Sequence, residues 1–600
     1  MSEFASPQSY YQQKIKELSD LLAGHYKKKN LFGWLRLLSF LAGIFLVWLN
    51  WSNGVIPIMI VLVVIAFIFL ALVSEDLSNQ KIIDHSELLV KINQQELLYL
   101  QHQFIHHKDG HEFYNDEHPY AGDLDIFGRA SLYQYINRTN SEQGNEFMAK
   151  WLLHPASPEL ISKRQKAVHE LSQKPEWRQE LQAISSESPV TIHAETTVEH
   201  WLEEKNEFIH KRSWQLVRFI VPAFAVATVV TYTIDLISYP AFMLLLVFFF
   251  VIASSITRKV YPAYGMLNKI AKEIDTLAKS IAFIERSDMH DPLMNELKND
   301  LGAGITTASH SIHKLNKILN RFDYRHNPLV FIPLNTLFLW DLQQMLQLEK
   351  WKENNNGKIN HWFHTLAEFE ALSTLGTLAF NHPHWCFPEL NTIHPEFTAT
   401  GLGHPLIDPK KSVLNNYSTT GTAQISIITG SNMAGKSTFL RSVGVNMVLA
   451  SMGAPVCASK LKLFPLKLMS SMRVKDNLEE STSTFYAELK KLKSIIDAVK
   501  RKEPVFILLD EILRGTNSHD RHTGSKSLIR QLIHENASGI IATHDLELAS
   551  LENEFPASIH NFHFDVQIEG PELFFDYTLK TGICQSFNAA ILMKKIGIEL

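Results

Sequence analysis

The sequence has few cysteines and little net charge. Three of its 600 residues are cysteines, Cys386, Cys457 and Cys584, and they show neither a disulfide framework nor the spacing of metal ligands. Their small number fits a reducing compartment. The formal net charge is −5, so the chain as a whole lacks the positive charge typical of nucleic-acid binding. Any surface that faces DNA must therefore be local.

Charged residues are also absent from residues 37–74, where a polar turn at 50–54 separates two apolar segments. A second pair of apolar segments is separated by Asp235. Each segment is long enough to cross about 30 Å of hydrocarbon as a helix. The four predicted membrane spans are Leu31–Leu49, Val55–Val73, Trp214–Ile234 and Ile237–Ile256.

Basic residues flank these spans on one side. Lys27–Lys29 precede the first span, Lys211 and Arg212 precede the third, and the turns within both hairpins contain no Lys or Arg. The positive-inside rule then places the N-terminus, residues 75–213 and everything after 257 in the cytoplasm. We expect a multi-pass protein of a bacterial inner membrane. The spans lack a run of ionisable groups, which indicates anchors rather than a transport pathway.

The soluble segments show helical periodicity up to about residue 384 and then change to short β-like runs alternating with helices. The predicted helices are 77–110, Leu124–Tyr135, Glu142–Leu153, Glu159–Leu181 with a break near Pro175, Tyr261–Arg321, Leu334–Lys352 and Trp362–Phe380.

A phosphate-binding motif lies in the α/β part. Ile425–Thr429 is an apolar strand, and the pattern G-x-x-x-x-G-K-[ST] follows it and opens a helix. Backbone N–H groups of such a loop surround phosphate oxygens, Lys436 would reach the β- and γ-phosphates, and the Ser437 hydroxyl would hold Mg²⁺. The sequence therefore predicts ATP and Mg²⁺ as ligands. The nucleotide-binding candidates are Gly430, Ser431, Asn432, Met433, Ala434, Gly435, Lys436, Ser437 and Thr438.

Two further apolar strands end in polar residues. The run 505–509 is followed by Asp510 and Glu511, of which the first would coordinate Mg²⁺ and the second would polarise the attacking water. The run 540–543 is followed by His544. A lone histidine more often has a structural role, but here we favour a sensor of the γ-phosphate. The catalytic candidates are thus Glu511, His544 and Lys436, and the metal candidates are Ser437 and Asp510.

A Ser/Thr cluster at 481–484 opens another helix. Taken alone it is a helix cap. Together with the other motifs it looks like a signature segment that completes the ATP site of a partner subunit.

These motifs together resemble those of the MutS family of the ABC ATPase superfamily. The resemblance is specific at 429–441, 510–516 and 542–544, at Ser483–Phe485 with Glu488, and at Gly403–Pro405, and it is weaker over 120–380. It implies a homodimer with two composite ATP sites that closes around DNA. It also implies that Asn432 and Met433 shape the phosphate loop and that Ser483 completes the ATP site of the partner subunit.

The fold class expected is an α/β phosphate-loop ATPase domain of the ABC type, C-terminal to an all-α MutS-like core with two inserted transmembrane hairpins. The expected domains are a cytoplasmic segment (1–30), hairpin one (31–74), the first part of the core (75–213), hairpin two (214–257), the second part of the core (258–384) and the ATPase domain (385–600).

The chain departs from the family where a mismatch would be recognised. The family's reader is an N-terminal domain with a Phe-x-Glu wedge, whereas the first 110 residues here are largely a hairpin and a helix. Phe283–Glu285 has the same letters but lies in a predicted core helix. ATPase chemistry is therefore a firmer expectation than mismatch recognition.

Two functions remain open. The first is a membrane-anchored ATPase that acts on DNA, with basic candidates that also fit a solvated helix face: Lys314, Lys317, Arg321 and Arg325. The second is a nucleotide-driven membrane switch or scaffold that has no DNA substrate. Half of an ABC transporter is disfavoured, because the Leu-Ser-Gly-Gly-Gln type of signature is absent.

Overall fold

The described strands all lie after residue 388, and the residues before them form helices. A computed structural model describes residues 6–302, 307–431, 433–473, 484–569 and 572–584. The chain divides into two units, the first comprising 1–137, 149–183 and 374–600 and the second 138–148 and 184–373. A helical N-terminal region followed by mixed α/β sheets confirms the predicted class at this level.

The first unit begins with a hairpin of two long helices, α1 (Pro7–Leu49) and α2 (Val55–Leu100). The Ser6 hydroxyl caps α1 by accepting a hydrogen bond from the Ser9 N–H. A Cβ atom at Gly43 would lie 3.0 Å from Ile65 Cγ2, so glycine allows the two helices to approach closely. Both helices extend beyond the predicted spans. The helix predicted over 77–110 is confirmed up to Leu100 as the second half of α2, and its last ten residues are wrong, because the chain turns at His102, which has φ 56°.

Turns and short helices follow α2. The helix predicted over Leu124–Tyr135 is wrong for most of its length, because Asp125 and Ala130 have positive φ angles of 51° and 59° and a helix forms only after Ser131. The break predicted near Pro175 is confirmed. The next helices are α3 (Leu132–Ile136), α4 (Glu142–Leu153), α5 (Pro158–Ser172), α6 (Pro175–Ser186) and α7 (Ile192–Glu203).

A second hairpin lies in the second unit and consists of α8 (Arg212–Thr233) and α9 (Tyr239–Asn268). Among the described residues, α1, α2, α8 and α9 have the length and apolar composition to cross a membrane. A bent pair of helices, Pro328–Phe338 and Trp340–Asn355, gives a fifth candidate span if the pair is counted as one. At most 17% of the most apolar stretch of each of the four helices is buried.

The continuous helix predicted over Tyr261–Arg321 is wrong. The chain leaves the helical conformation before Asp291, whose carboxylate caps a new helix by accepting the Leu293 N–H at 2.9 Å. The helix predicted over Leu334–Lys352 is also broken, because Leu339 has φ 49° and the chain bends there by 77°. The helices are α10 (Ala271–Arg286), α11 (Pro292–Asp300), α12 (Ala308–Phe322), α13 (Pro328–Phe338), α14 (Trp340–Asn355) and α15 (Ile359–Asn381).

A buried ion pair fastens three of these helices together. Arg325 Nη2 lies 2.8 Å from Asp341 Oδ2, and the Asp341 side chain is fully buried. Thr257 on α9 donates to the same carboxylate at 2.6 Å, and Asn335 on α13 donates to the Thr257 hydroxyl at 3.0 Å. The interpretation of Arg325 as a DNA contact is therefore wrong, since its guanidinium is committed to Asp341.

The C-terminal part contains two sheets. The larger sheet has the order β10-β9-β4-β8-β7-β6, and its strands are parallel except for β10. The smaller has the order β1-β5-β2-β3. The strands are β1 (Glu389–Leu390), β2 (Glu396–Leu402), β3 (Asn415–Thr420), β4 (Ile425–Thr429), β5 (Lys460–Leu463), β6 (Lys467–Ser471), β7 (Val505–Asp510), β8 (Ser538–Thr543), β9 (Ile559–Glu569) and β10 (Glu572–Thr581).

The three strands predicted to carry the site are adjacent in the larger sheet. β4, β8 and β7 are buried along their whole length, which explains their continuous apolar sequences. Ile495 and Ile529 lie in the core cluster that covers one face of the sheet. Because the strands are parallel, their carboxyl ends meet at one edge. The remaining helices are α16 (Lys436–Met452), α17 (Thr484–Lys500), α18 (Ser518–His534) and α19 (Leu551–Glu554).

The buried ion pair predicts a stability effect. Asp341→Ala should destabilise the protein by about 3–5 kcal/mol, because it leaves the Arg325 charge buried without its carboxylate. The measurement is chemical unfolding of the detergent-solubilised protein. Asp300→Ala, at an exposed helix end, is the matched control. The double variant Arg325→Met/Asp341→Leu should recover much of the stability, and a single variant as stable as the control would contradict the role of the pair.

Candidate functional site

The site is built around the loop between β4 and α16. Gly430 has φ 148°, and a Cβ atom there would lie 2.8 Å from the Phe564 carbonyl oxygen, so only glycine lets the loop pass this close to β9. Ala434 is buried, whereas the Met433 side chain is 80% exposed. Asn432 lies outside the described residues. The loop ends at Gly435, and α16 begins at Lys436 as predicted.

Lys436 is folded back onto the loop. Its Nζ donates to the carbonyl oxygens of Gly430 at 2.8 Å and Ser431 at 3.0 Å, and it lies 3.1 Å from His544 Nε2. Burial lowers the pKa of Lys436 to about 8. The ammonium is thus held at the loop by neutral oxygens that a phosphate could replace.

Ser437 and Asp510 form the second part of the site. The Ser437 hydroxyl donates to Asp510 Oδ2 at 2.5 Å. Burial raises the pKa of Asp510, which indicates a carboxylate without enough positive charge nearby. A hydroxyl and a carboxylate side by side supply oxygen ligands of the kind that Mg²⁺ accepts, together with phosphate oxygens and water. The residues therefore fit this cation.

The loop also contains an unsatisfied polar group. Ser431 Oγ is buried and has no hydrogen-bond partner among the described residues. A buried hydroxyl without a partner carries a desolvation penalty, which an anionic oxygen placed in the loop would relieve.

Glu511 and His544 form the third part, at the ends of β7 and β8. His544 Nε2 lies 2.6 Å from Glu511 Oε1, and this hydrogen bond is the main cause that lowers the pKa of Glu511. Arg514 Nε lies 2.9 Å from the other carboxylate oxygen. His544 Nε2 faces both Glu511 and Lys436, but a single nitrogen either donates to the carboxylate or accepts from the ammonium. The imidazole therefore links the carboxylate to the phosphate-loop lysine.

Glu488 holds the segment that follows Glu511. Its buried carboxylate accepts the backbone N–H of Leu513 and, at 3.2 Å, that of Arg514. Glu511 and Leu513 have φ angles of 49° and 60°, a conformation that non-glycine residues seldom adopt. Glu488 belongs to the segment predicted as a signature, but its interaction with this loop was not predicted. Ser483, the signature residue expected to act on a partner subunit, lies outside the described residues.

A cavity of about 560 Å³ opens beside the loop. Its wall includes Lys436, Ser437 and Thr438 from the motif and Asn415 and Tyr577 from the neighbouring strands. Asn415 fixes β10 by donating to the Tyr577 carbonyl oxygen at 3.1 Å and accepting the Leu579 N–H at 2.7 Å. Asn415 and Tyr577 were not predicted as site residues, because neither belongs to a recognisable motif.

His404, from the Gly-His-Pro segment, lines the same cavity. Burial lowers the pKa of His404 to about 4, so the imidazole is neutral near pH 7. Its Nδ1 accepts the Leu406 N–H at 3.2 Å. A neutral ring of this kind provides a flat surface rather than a charge.

A pair of aspartates connects the segment after α2 to the site. Asp123 is buried, and its carboxylate accepts hydrogen bonds from the Ser470 hydroxyl at 2.7 Å and the Arg473 N–H at 2.9 Å. Asp125 Oδ2 lies 3.0 Å from Arg441 Nη1 on α16, the helix that begins with Lys436. The segment is therefore bonded to the helix that carries the phosphate-loop lysine.

The structure thus brings together Lys436, Ser437, Asp510, Glu511 and His544 at the carboxyl edge of β4, β7 and β8. Comparison with known proteins agrees with the motifs, since residues 426–596 match MutS domain V. The resemblance predicted from the sequence is confirmed for this part of the chain.

Three relatives illustrate the similarity. DNA mismatch repair protein MutS of Thermotoga neapolitana is 30% identical over 242 residues, which are 39% of this chain and 29% of that protein. The protein of the same name from Aquifex pyrophilus is 30% identical over 263 residues, 43% of this chain and 29% of its own length. Human MutS protein homolog 4 is 30% identical over 219 residues, which are 34% of this chain and 23% of that protein. The chain spans less than a third of the length of these relatives.

The hydrogen bonds of Glu488 predict a positioning role. Glu488→Ala should lower kcat for nucleotide hydrolysis roughly tenfold, because about 1–3 kcal/mol of support for the loop after Glu511 is removed. The nucleotide dissociation constant should change little, since Glu488 is not part of the phosphate loop. Steady-state kinetics and equilibrium binding separate the two effects.

Glu488→Gln keeps a carbonyl oxygen that can accept one N–H and should recover part of the activity. Asp497→Ala, on the same helix but away from the loop, is the matched control. If the Gln variant is as impaired as the Ala variant, support of the loop by hydrogen bonds is not the cause.

Proposed function

We propose that this chain is a Mg²⁺-dependent ATPase of the MutS kind. The observation that carries the proposal is the meeting of Lys436, Ser437, Asp510, Glu511 and His544 at the carboxyl edge of three parallel strands. These groups supply a cation for the phosphates, two oxygen ligands for Mg²⁺, and a carboxylate with a histidine for the attacking water. The match of residues 426–596 to MutS domain V supports the same assignment.

The residues divide the reaction between them. Lys436 would exchange the loop carbonyl oxygens for the β- and γ-phosphates, and Ser431 Oγ would gain the partner it lacks. Ser437 and Asp510 would hold Mg²⁺, which supplies charge neutralisation at the phosphates. Glu511 would orient the attacking water and accept its proton. His544 would stabilise the Glu511 carboxylate and respond when Lys436 moves to the phosphate.

We further propose a homodimer with composite sites. The 80% exposure of Met433 leaves the outer side of the phosphate loop open to a second subunit. Ser483 of one subunit would then complete the site of the other. The similarity to MutS domain V supports this arrangement.

The proposal places α1, α2, α8 and α9 in a bilayer, with the N-terminus, the helical core and the ATPase domain in the cytoplasm of a bacterial cell. The outward exposure of their apolar side chains supports this placement, because water would otherwise face two long apolar surfaces. The basic residues that flank the spans favour the orientation.

DNA is the proposed substrate because the relatives named above include DNA mismatch repair proteins. Lys314 and Lys317 are exposed on α12 and remain candidates for binding phosphates, whereas Arg321 is half-buried and Arg325 is paired with Asp341. Recognition of a mismatch is not part of the proposal.

A second function, a nucleotide-driven membrane switch, is favoured by the ion pair between Asp125 and Arg441. The segment that carries Asp125 follows directly from α2, one of the two proposed spans in the first unit. A shift of α16 on nucleotide binding would therefore pull on the segment after the span. This function needs no DNA.

The ATPase assignment predicts the effect of Glu511→Gln. Hydrolysis should fall by about 10²-fold or more, since an amide cannot accept the proton of the attacking water. ATP binding should persist, because the phosphate loop is unchanged. Phosphate release and binding of a fluorescent ATP analogue measure the two effects. Glu535→Gln, an exposed carboxylate on the same domain, is the control, and hydrolysis at the control rate would reject Glu511 as the catalytic carboxylate.

The lowered pKa of Lys436 predicts that ATP binding depends on pH. Above pH 8 the Lys436 ammonium of the nucleotide-free protein loses its proton. Binding of the phosphates must then be accompanied by proton uptake. The affinity for ATP should therefore fall between pH 8 and 9.5, by at most about tenfold per pH unit. Below pH 7.5 the protonation of Lys436 should change the affinity little. Lys436→Arg, which stays protonated over this range, should bind more weakly but without this dependence. Equal slopes in both proteins would assign the effect to another group.

The DNA and switch functions can be separated with the ATP-bound Glu511→Gln protein. If DNA is the substrate, duplex, mismatched and branched DNA should bind at low salt. A plot of the logarithm of the binding constant against the logarithm of the salt concentration should be less steep for Lys314→Gln/Lys317→Gln, by about 0.9 for each DNA phosphate that the variant no longer neutralises. If no DNA binds at low salt, the DNA function is rejected. The switch function would be supported if amide hydrogen exchange of residues 75–100 differs between the ATP and ADP states. The Asp125→Asn variant should then lose this difference.

A further inference from the structure

Helix α13 is short, apolar and uncharged. Residues 327–340 contain no Asp, Glu, Lys or Arg. The helix has 11 residues and is therefore about 16 Å long, roughly half the thickness of the hydrocarbon core of a bilayer. It cannot cross a membrane alone.

The side chains of α13 are arranged opposite to those of a helix in a water-soluble protein. Leu329 is 88% exposed, and Val330, Ile332 and Phe338 are also exposed. The polar Asn335 and Thr336 are buried. In water, burial of polar groups with exposure of a cluster of large apolar groups is unfavourable. In lipid the same arrangement is the stable one, since polar groups must find partners inside the protein.

Helix α13 lies against the second hairpin, whose outer side chains are apolar. α13 packs against both α8 and α9. Phe224 on α8 and Leu244 on α9 are exposed on the outside of the hairpin. Lipid that surrounds the hairpin would therefore also contact α13.

Helix α14, beyond the 77° bend, belongs to the protein interior and not to a fifth span. Its buried Glu349 accepts the backbone N–H groups of Glu207 at 2.7 Å and Ile209 at 2.6 Å. Its buried Lys352 donates to the carbonyl oxygens of Trp201 and Glu204, both at 2.5 Å. These ionic groups are bonded to the segment 201–209, so of the bent pair of helices α13 is the one with the exposed apolar face.

Aromatic and polar groups fix the ends of α13. Tyr324 and Trp340, which flank it, stack with ring centroids 5.6 Å apart, and such rings prefer the boundary between headgroups and hydrocarbon. The Arg325–Asp341 pair and Asn335 fasten the helix to Thr257, which is followed by the basic Arg258 and Lys259. This end of α9 is the cytoplasmic end in the proposed orientation.

We propose that α13 is a re-entrant helix that dips into the cytoplasmic leaflet beside the α8–α9 hairpin and contacts acyl chains through Leu329, Val330, Ile332 and Phe338. This inference rests on the proposed placement of α8 and α9 in a membrane. It adds a third apolar element, and with it a lipid-sensitive element, to the second unit.

The test measures the depth of nitroxide labels in the full-length protein reconstituted into lipid nanodiscs. The three native cysteines are replaced by serine, and single cysteines are introduced as Leu329→Cys, Val247→Cys in α9 and Lys317→Cys on α12. Oxygen reports contact with hydrocarbon, and a nickel chelate reports contact with water. The label at Leu329 should gain oxygen access and lose nickel access, as the label at Val247 does, whereas the label at Lys317 should show the reverse.

The outcomes distinguish the inference from the placement on which it rests. If Val247 behaves as Lys317 does, the hairpin is not in the membrane and the proposed placement fails. If Val247 is in lipid but Leu329 is accessible to nickel, the placement stands and the re-entrant helix is rejected. If neither reagent reaches Leu329, a protein surface or a second copy of the chain covers α13, and the inference is also rejected.

Discussion

The candidate site depends on one constraint, namely that a lysine ammonium is held in a largely buried position at the edge of a sheet. Lys436 is stabilised there by two loop carbonyl oxygens, and the His544 imidazole links it to the Glu511 carboxylate that follows β7. Burial lowers its pKa to about 8, so the ammonium loses its proton more readily than that of an exposed lysine. An anion that enters the loop can therefore replace the carbonyl oxygens that bind Lys436. Because His544 contacts both Lys436 and Glu511, a change at Lys436 also alters the surroundings of these two side chains.

The same constraint explains why the surrounding loops have uncommon backbone conformations. Glu511 must leave β7 and turn back towards His544, which places it at φ 49°. That conformation is costly for a residue with a side chain, and Glu488 offsets part of the cost by binding two N–H groups of the following turn. The turn that follows the Glu511 carboxylate is thus held in place by a second carboxylate, that of Glu488.

The strands and their ends could be predicted from sequence because a buried parallel strand has a continuous apolar sequence and the motif spacing places each polar residue at a strand end. The phosphate loop and the helix after it follow the same logic. Side chains that meet only in three dimensions could not be predicted. Asn415 and Tyr577 come from different strands, and Asp123 and Asp125 reach Ser470 in β6 and Arg441 in α16 from a segment more than three hundred residues away. Periodicity also missed the breaks at Leu339 and Asp291, since a single left-handed residue or cap ends a helix without changing its apolar pattern.

Helix α2 has 46 residues, which at 1.5 Å per residue is about 69 Å of uninterrupted helix. Its apolar part would occupy the proposed bilayer, and the rest, which is bonded to α6 of the first unit, would act as a stalk of fixed length. Subunits held on such stalks search for one another in two dimensions and at a common height. Pairing of their phosphate loops then depends on surface density in the membrane, so the amount of protein per membrane area, rather than per cell volume, would set the fraction of assembled sites.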